Sequence, residues 1–237
     1  MGINTNRGFM ADARVRQALN HAVNKQEVIE TILGGRGQVA NSPIAPLVQF
    51  YDQSIPAYTF DPEKAKQLLA TAGVPAGTPL RVGIPTGRYL MDRQIGEAVA
   101  GYLRNAGFNV QVETPEWGNY YSEVLKADGR FDVFLLGWGT TTLDPDFLLT
   151  PNFHSQFSKS TLYNNPAVDR MLDEARQTFD DRAAGELYRR IQRTIVADAP
   201  WIFLHYQPDL IGVSKRLQNI QRRAGNELHF FSEAGLK

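Results

Sequence analysis

Residues 80–112 constrain the fold more than any other stretch. Leu80, Val82 and Ile84 alternate with other residues in the period-two pattern of a strand, and Pro85-Thr86-Gly87-Arg88 then turns the chain. From about Asp92, Ile95, Ala98, Val99, Tyr102, Leu103 and Ala106 recur on one helical face, with Gly107 as the stop signal. Val110 and Val112 alternate as a second strand. A strand, a helix and a strand in succession form a crossover that is almost always right-handed and joins parallel neighbours. The centre of the chain is therefore expected to be α/β, with a mostly parallel sheet flanked by helices.

The same sheet should receive Val133–Leu136, an apolar run bounded by a turn, as expected of a strand buried on both faces. It breaks at Gly137, and Trp138, Gly139, Thr140, Thr141 and Thr142 precede Leu143 and the turn Asp144-Pro145-Asp146. Ligands of open α/β sheets bind beyond the carboxyl ends of the strands. An aromatic face, a bare glycine backbone and three hydroxyls delivered there suit recognition; spacing alone equally allows a core tryptophan and loop filler. Arg88 and Tyr89 occupy the matching place after the first crossover strand, where a ligand carboxylate or hydroxyls would be met.

Elsewhere the helical signals are local. Val15, Ala18, Leu19 and Ala22 make Asp12–Ala22 an amphipathic helix, and Asn24 with Glu27 resembles a capping box that starts a second helix ending at Gly34-Gly35. Gln38–Tyr58, with Pro43, Pro46 and Pro56, reads as loop, and Asn41 within it is a candidate for the ligand cleft. Asp61-Pro62 starts a helix with Ala65, Leu68, Leu69 and Ala72 buried, stopped by Gly73, and Pro75–Pro79 links it to the crossover unit. A further helix is expected around Tyr120–Ala127. Asn165-Pro166 starts another, with Val168, Met171, Leu172, Ala175 and Phe179 inward, and a long helix spans about Asp181–Ala197. Trp201–Tyr206 and Leu210–Val213 read as strands that close or extend the sheet. Residues 214–237 read as a tail or return segment, whose Leu228, Phe230 and Phe231 have no evident partner.

Twenty-five basic residues balance twenty-five acidic ones, which gives no electrostatic footprint for nucleic acid or an anionic membrane. The absence of cysteine excludes disulfides, thiolate metal sites and thiol catalysis, and it fits an oxidising compartment. No apolar run reaches the roughly 20 residues of a membrane span, and the opening MGINTNRG reads as an expression start or an excised piece. His21, His154, His205 and His229 lie far apart without metal-ligand spacing, so no metal and no cofactor is expected. There is no nucleophile elbow, phosphate loop or dinucleotide fingerprint. Asp144 and Asp146 could do acid–base work, but they read first as a turn in which Asp146 caps Phe147–Leu149. The pattern is that of a pocket wall, and no enzymatic activity is expected.

Several segments resemble one family in family order. Val15-Arg16-Gln17-Ala18-Leu19-Asn20-His21-Ala22-Val23-Asn24-Lys25 is similar to the VRqAlnyAidk segment of family 5 extracytoplasmic solute-binding proteins. These are the dipeptide, oligopeptide, nickel and glutathione receptors of ABC importers. Phe60–Leu69 resembles that family's yDpekAkkLL, Gly87-Arg88-Tyr89 its GrY, and Phe131–Asp146 its tryptophan–glycine and DpD stretch. The resemblance implies a periplasmic-binding-protein-like type II fold, of which these 237 residues make one lobe, the carboxyl-terminal one. The signal peptide, the amino-terminal lobe and most of the return segment would be missing. It further implies a small-molecule or peptide ligand, an ABC permease as partner, no nucleic acid, and a periplasmic or extracellular location, with the full-length protein held at the membrane as a lipoprotein. Trp138 would supply stacking, Gly139 backbone approach, Thr140, Thr141 and Thr142 hydrogen bonds, and Arg88 a carboxylate anchor. Peptide-binding members carry an acid three positions after this tryptophan, facing the peptide ammonium; here that position is Thr141. Asp144 replaces it only if the loop folds differently, so glutathione-like, modified-peptide or sugar ligands become more plausible. A ligand-sensing domain of a cytoplasmic regulator is the alternative reading.

Overall fold

A computed structural model describes residues 1–126, 129–208, 210, 212–219, 221–222, 229–230 and 235–236. Its centre is a four-stranded sheet built from β1 (Gly2–Ile3), β3 (Pro79–Gly83), β4 (Asn109–Glu113) and β5 (Val133–Phe134), in the order β1-β5-β3-β4. The expected crossover is present: β3 and β4 run parallel, with Leu80 opposite Val110 and Val82 opposite Val112, joined through α4 (Asp92–Asn105). On its other side β3 pairs in parallel with β5, Val82 opposite Val133 and Gly83 opposite Phe134. The loops that leave β3 and β5 are thus neighbours. The opening residues do not hang free: β1 is the antiparallel edge strand on β5, and Ile3 is fully buried.

Alternation along the strands sorts two faces. Leu80, Val82, Ile84, Val133 and Leu135 join one core with α1 (Ala13–Ala22), α2 (Lys25–Thr31), α3 (Pro62–Thr71) and α4. Phe131 and Phe134 pack on the opposite face against Tyr120 and Val124 of α5 (Trp117–Val124). Glycine permits the close layers: a Cβ on Gly96 of α4 would lie 2.3 Å from Ile84, and one on Gly83 would lie 2.7 Å from the Phe131 ring. The caps expected at Asn24, Asp61 and Asn165 are in place, and Asp12, expected as the first helical residue, is a cap as well. Asp12, Asn24, Asp61 and Asn165 each accept a hydrogen bond from a backbone N–H in the first turn of the helix that follows. Proline follows Asp61 and Asn165 at the first helical position.

A second core contains the proline-rich loop with α6 (Asp146–Phe153), α7 (Pro166–Ala175) and α8 (Asp181–Asp198). Gln192 of α8, fully buried, organises that loop. Its amide nitrogen donates to the carbonyls of Phe50 and Tyr188, and its oxygen accepts from Ser42 Oγ and the Asp52 N–H, at 2.9–3.0 Å throughout. The amide leaves no hydrogen-bonding capacity unmet, which is what makes a buried polar side chain tolerable. The loop also contains β2 (Gln38–Val39), antiparallel to β6 (His205–Tyr206). The two cores are joined where α1 meets the end of α8: the buried Arg16 donates to the carbonyls of Asp198, Met10 and Ala11.

Four expectations are corrected. Phe179 is 97% exposed, because α7 ends at Ala175 and the helical stripe does not continue into the connection that holds Phe179. Trp201–Tyr206 is not one strand; Trp201 makes a single bridge to Gly2, residues 200–202 hydrogen-bond to residues 1–3 along the sheet edge, and only His205–Tyr206 forms a ladder. Leu210, Gly212 and Val213 form no strand and are exposed. Asp146 does not provide the cap of α6 but stands inside its first turn, and it is Asp144 that accepts the Asp146 N–H at 2.8 Å. In the tail, β7 (Leu217–Gln218) pairs with β10 (Gly235–Leu236), and β8 (Gln221–Arg222) with β9 (His229–Phe230). Leu228 and Phe231 lie outside the described residues. Among the described residues, no helix is long and apolar enough to cross a membrane.

The Tyr120 hydroxyl, in a fully buried side chain, bonds the carbonyls of Leu135 at 2.7 Å and Gly83 at 3.1 Å. Tyr120→Phe leaves the Leu135 carbonyl unmet and should cost about 1–3 kcal/mol, read as a lower urea midpoint at unchanged slope. Burial lowers the pKa of His205 to about 4. The unfolded chain titrates near 6.5, so it binds the extra proton between pH 6.5 and 4, and stability falls as the pH drops through that window. His205→Leu should remove on the order of 2 kcal/mol of that loss in chemical denaturation at pH 4 against pH 7.

Candidate functional site

Two loops form the carboxyl-end surface of the sheet. The first, after β3, is folded around one carboxylate: Asp92, only 4% exposed, accepts the backbone N–H groups of Arg88 at 2.8 Å, Tyr89 at 3.0 Å and Arg93 at 2.8 Å. These charge-assisted bonds hold a turn that passes through left-handed Gly87 (φ +74°) and left-handed Met91 (φ +55°). The non-glycine position is strained by about 1 kcal/mol or more. The turn presents Arg88 to solvent, its guanidinium carbon 5.1 Å from the Tyr89 ring centre and 5.2 Å from that of Trp117. Trp117 stands edge-on to Tyr89 at 6.1 Å and stacks on Tyr121 at 5.3 Å. Burial, only partly offset by the Gly137 hydrogen bond and the Arg88 charge, raises the Tyr89 pKa, so the phenol stays neutral.

The second loop, after β5, meets the first at Gly137. The Tyr89 hydroxyl lies 3.5 Å from the Gly137 carbonyl, and a Cβ on Gly137 would come within 2.9 Å of the Tyr89 ring. Trp138 follows, 39% exposed, and Gly139 has open space where a side chain would project. The threonines divide. Thr140 is buried, its hydroxyl 3.1 Å from that of Thr142 and 3.5 Å from the Asp144 carbonyl, while Thr142 Oγ1 accepts the Asp144 N–H at 3.2 Å. Both hydroxyls are therefore engaged in shaping the loop. Thr141 is exposed, and the Asp144 side chain is exposed with one oxygen on the Asp146 N–H. The Gln49 N–H donates to the carbonyl of left-handed Leu143 at 2.9 Å, which docks this loop on the proline-rich loop.

The structure thus brings Arg88 and Tyr89 together with the segment beginning at Gly137-Trp138. Asn41 is placed differently. Its amide nitrogen donates to the Ile55 carbonyl at 2.7 Å, and its oxygen accepts from Tyr51 at 2.6 Å and Tyr206 at 3.1 Å, all within the second core and β6. Trp117 and Tyr121 belong to the aromatic cluster but were not foreseen. Their signal was available: Trp117 follows the carboxyl end of β4, the position that pointed to Arg88 and Trp138 after the other two strands. Among the described residues, no group of three or more histidine or acidic side chains is arranged to hold a metal. His21 Nδ1 lies on the Thr59 carbonyl at 2.8 Å, and His154 Nε2 is 3.5 Å from Asp173.

The fold is that of periplasmic binding proteins, to whose solved structures the chain is similar. The chain superposes on HbpA2 of Haemophilus parasuis with a TM-score of 0.88 at 26% identity, over 100% of this chain and 47% of that one. A dipeptide-binding protein of Pseudoalteromonas sp. SM9913, in complex with Met-Leu, gives 0.87 at 26% identity, over 100% and 47%. Residues 1–160 match the family model of bacterial extracellular solute-binding proteins, family 5 Middle, and the chain belongs to that family. Heme-binding protein A of Haemophilus influenzae is 30% identical over 92% of this chain and 41% of its own length. The dipeptide-binding protein of Escherichia coli is 28% identical over 92% and 42%. The chain spans less than half the length of these curated relatives.

Asp92→Ala should release the Arg88–Tyr89 turn, lowering stability by about 2 kcal/mol and changing tryptophan emission as Trp117 loses its packing. Trp138→Ala, at an exposed position, should stay within about 0.5 kcal/mol of the parent in the same denaturation assay.

Proposed function

We propose that this chain is the carboxyl-terminal lobe of a two-lobed solute receptor serving an ABC importer in the periplasm or at the cell surface. It captures peptides or peptide-like small molecules. The observation that carries this reading is the parallel pairing of β3 with β5, which sets Arg88, Tyr89 and Trp138 on adjoining strand exits. Trp138 stacks on the ligand, the Gly139 backbone and Thr141 offer hydrogen bonds, and Arg88, already braced against two rings, takes a carboxylate. Thr140 and Thr142 hold the loop rather than the ligand. Asp144 keeps one carboxylate oxygen for a ligand ammonium. The lobe does no chemistry: an amino-terminal lobe closes over the ligand, and the permease responds to the closed form. Relatives named for heme, dipeptides and glutathione support the breadth of the ligand class. None of the relatives named is a regulator, and no observation favours the sensor alternative.

The test is a thermal-shift panel on the two-lobed protein and on this chain alone, with di- and oligopeptides, glutathione, heme, oligosaccharides and nickel chelates. One class should stabilise the two-lobed protein and scarcely move the single lobe, and Trp138→Ala or Arg88→Gln should weaken its binding about tenfold or more. Micromolar binding by the lone lobe, or no shift of the two-lobed protein by any class, overturns the reading.

A further inference from the structure

A cavity of about 460 Å³ opens between α1, the loop at residues 54–59, the start of α3 and the last turns of α8, and none of its lining residues belongs to the strand-exit site. That volume lies within the range of small-molecule pockets. Its walls divide by chemistry. Ile55, Pro56, Ala57, Val196 and Ala197 make an apolar surface, while His21, Lys64 and Arg193 bring cationic or ionisable groups and no acidic side chain lines it.

The cations differ in what already occupies them. Arg193 Nε is bonded to Asp52 at 2.8 Å behind the wall, and one outer nitrogen reaches Ser54 Oγ at 3.2 Å, so the guanidinium is held in place with donors to spare. Lys64 is exposed; its backbone N–H is taken by Asp61, and among the described residues its ammonium has no hydrogen bond or ion pair. His21 is buried with Nδ1 on the Thr59 carbonyl, which leaves Nε2 unused by that contact. Behind Tyr58, the buried Lys25 ammonium lies 5.5 Å from the ring centre and donates to the Asn20 and Tyr58 carbonyls. Burial first, with Lys64 and Lys25 adding to it, lowers the His21 pKa against the opposing Thr59 hydrogen bond and Asp61 charge. A pocket with an apolar wall and cationic side chains on its rim, lined by no acid and with Asp52 behind the wall engaged by Arg193, is complementary to an apolar body that ends in a negative group.

We infer that this cavity binds a small amphipathic anion, an apolar chain or ring bearing a carboxylate, with Lys64 and Arg193 on the carboxylate and the Ile55–Ala57 and Val196–Ala197 surfaces on the apolar body. The ligand differs from that of the strand exits in place and in chemistry, so the two sites can be tested apart.

The experiment is calorimetric titration of the 237-residue chain with octanoate, octylammonium and octanol, alongside Lys64→Gln, Ala197→Trp and Trp138→Ala. Lys64 and Ala197 are both exposed, and neither substitution removes a backbone hydrogen bond, so both variants should fold; a melting curve checks this. Octanoate should bind the parent chain more tightly than octanol and far more tightly than octylammonium. Lys64→Gln should weaken octanoate about tenfold, Ala197→Trp should fill the cavity and abolish binding, and Trp138→Ala should leave it unchanged. Failure of octanoate to bind, equal binding of octylammonium, or indifference to Ala197→Trp overturns the inference. Loss of octanoate binding in Trp138→Ala would assign the anion to the strand exits and overturns it as well, whatever the fate of the receptor reading.

Discussion

Past the last paired residue of β5, the carbonyl of Leu135 has left the ladder while still buried among apolar side chains. Such a group must find a donor or cost the fold about 1–3 kcal/mol. The Tyr120 hydroxyl is that donor, and it reaches the Gly83 carbonyl as well, so one side chain of α5 ties the ends of β3 and β5 at the point where both leave the sheet. The geometry depends on glycine at position 83, where any larger residue would meet the Phe131 ring on which Tyr120 packs. Everything presented beyond the sheet edge inherits its position from this junction.

Outward-facing groups and groups that hold the loops are separated in space around it. Asp92, Thr140 and Thr142 spend their polar atoms inside their own loops, whereas Arg88, Trp138 and Thr141 are left facing outward. Groups of the first kind set the shape of a surface, and groups of the second kind set its chemistry. A loop can then change what it contacts by substitution at the outward positions without losing the bonds that fold it, which is how one scaffold can serve ligands as different as those named for its relatives.

Much of this architecture was legible in the sequence because its signals are local and periodic. The alternation of Leu80, Val82 and Ile84, the helical stripe from Ile95 to Leu103, and the caps at Asn24, Asp61 and Asn165 each act within a few residues, and each of these elements starts where those signals placed it. What was not legible depends on long-range partners. Gly2–Ile3 is too short to carry a period and is a strand only because β5 and residues 200–202 lie beside it. Gln192 looks like a solvent-facing residue until the proline-rich loop folds over it. The spacing of Phe179 continues the apolar stripe of α7, although the helix stops before it. At the candidate site, position after a strand singles out Arg88, Tyr89 and Trp138 as candidates. The division of the threonines and the engagement of Asn41 required knowing where the chain turns back on itself.

Arg16 joins the two cores, and that junction has a mechanical consequence. Its guanidinium bonds carbonyls at both ends of the contact, on Asp198 at the end of α8 and on Met10 and Ala11 before α1, while the Asp198 carboxylate holds Tyr163 and Asn165. Shearing the sheet against the helical half would take the Asp198 carbonyl from this buried cation and leave it only the acceptors beside its own helix, a steeper penalty than bending a loop. The sheet and the helical half are therefore pinned at a point where sliding is costly, and the two cores resist shear along the contact between α1 and the end of α8.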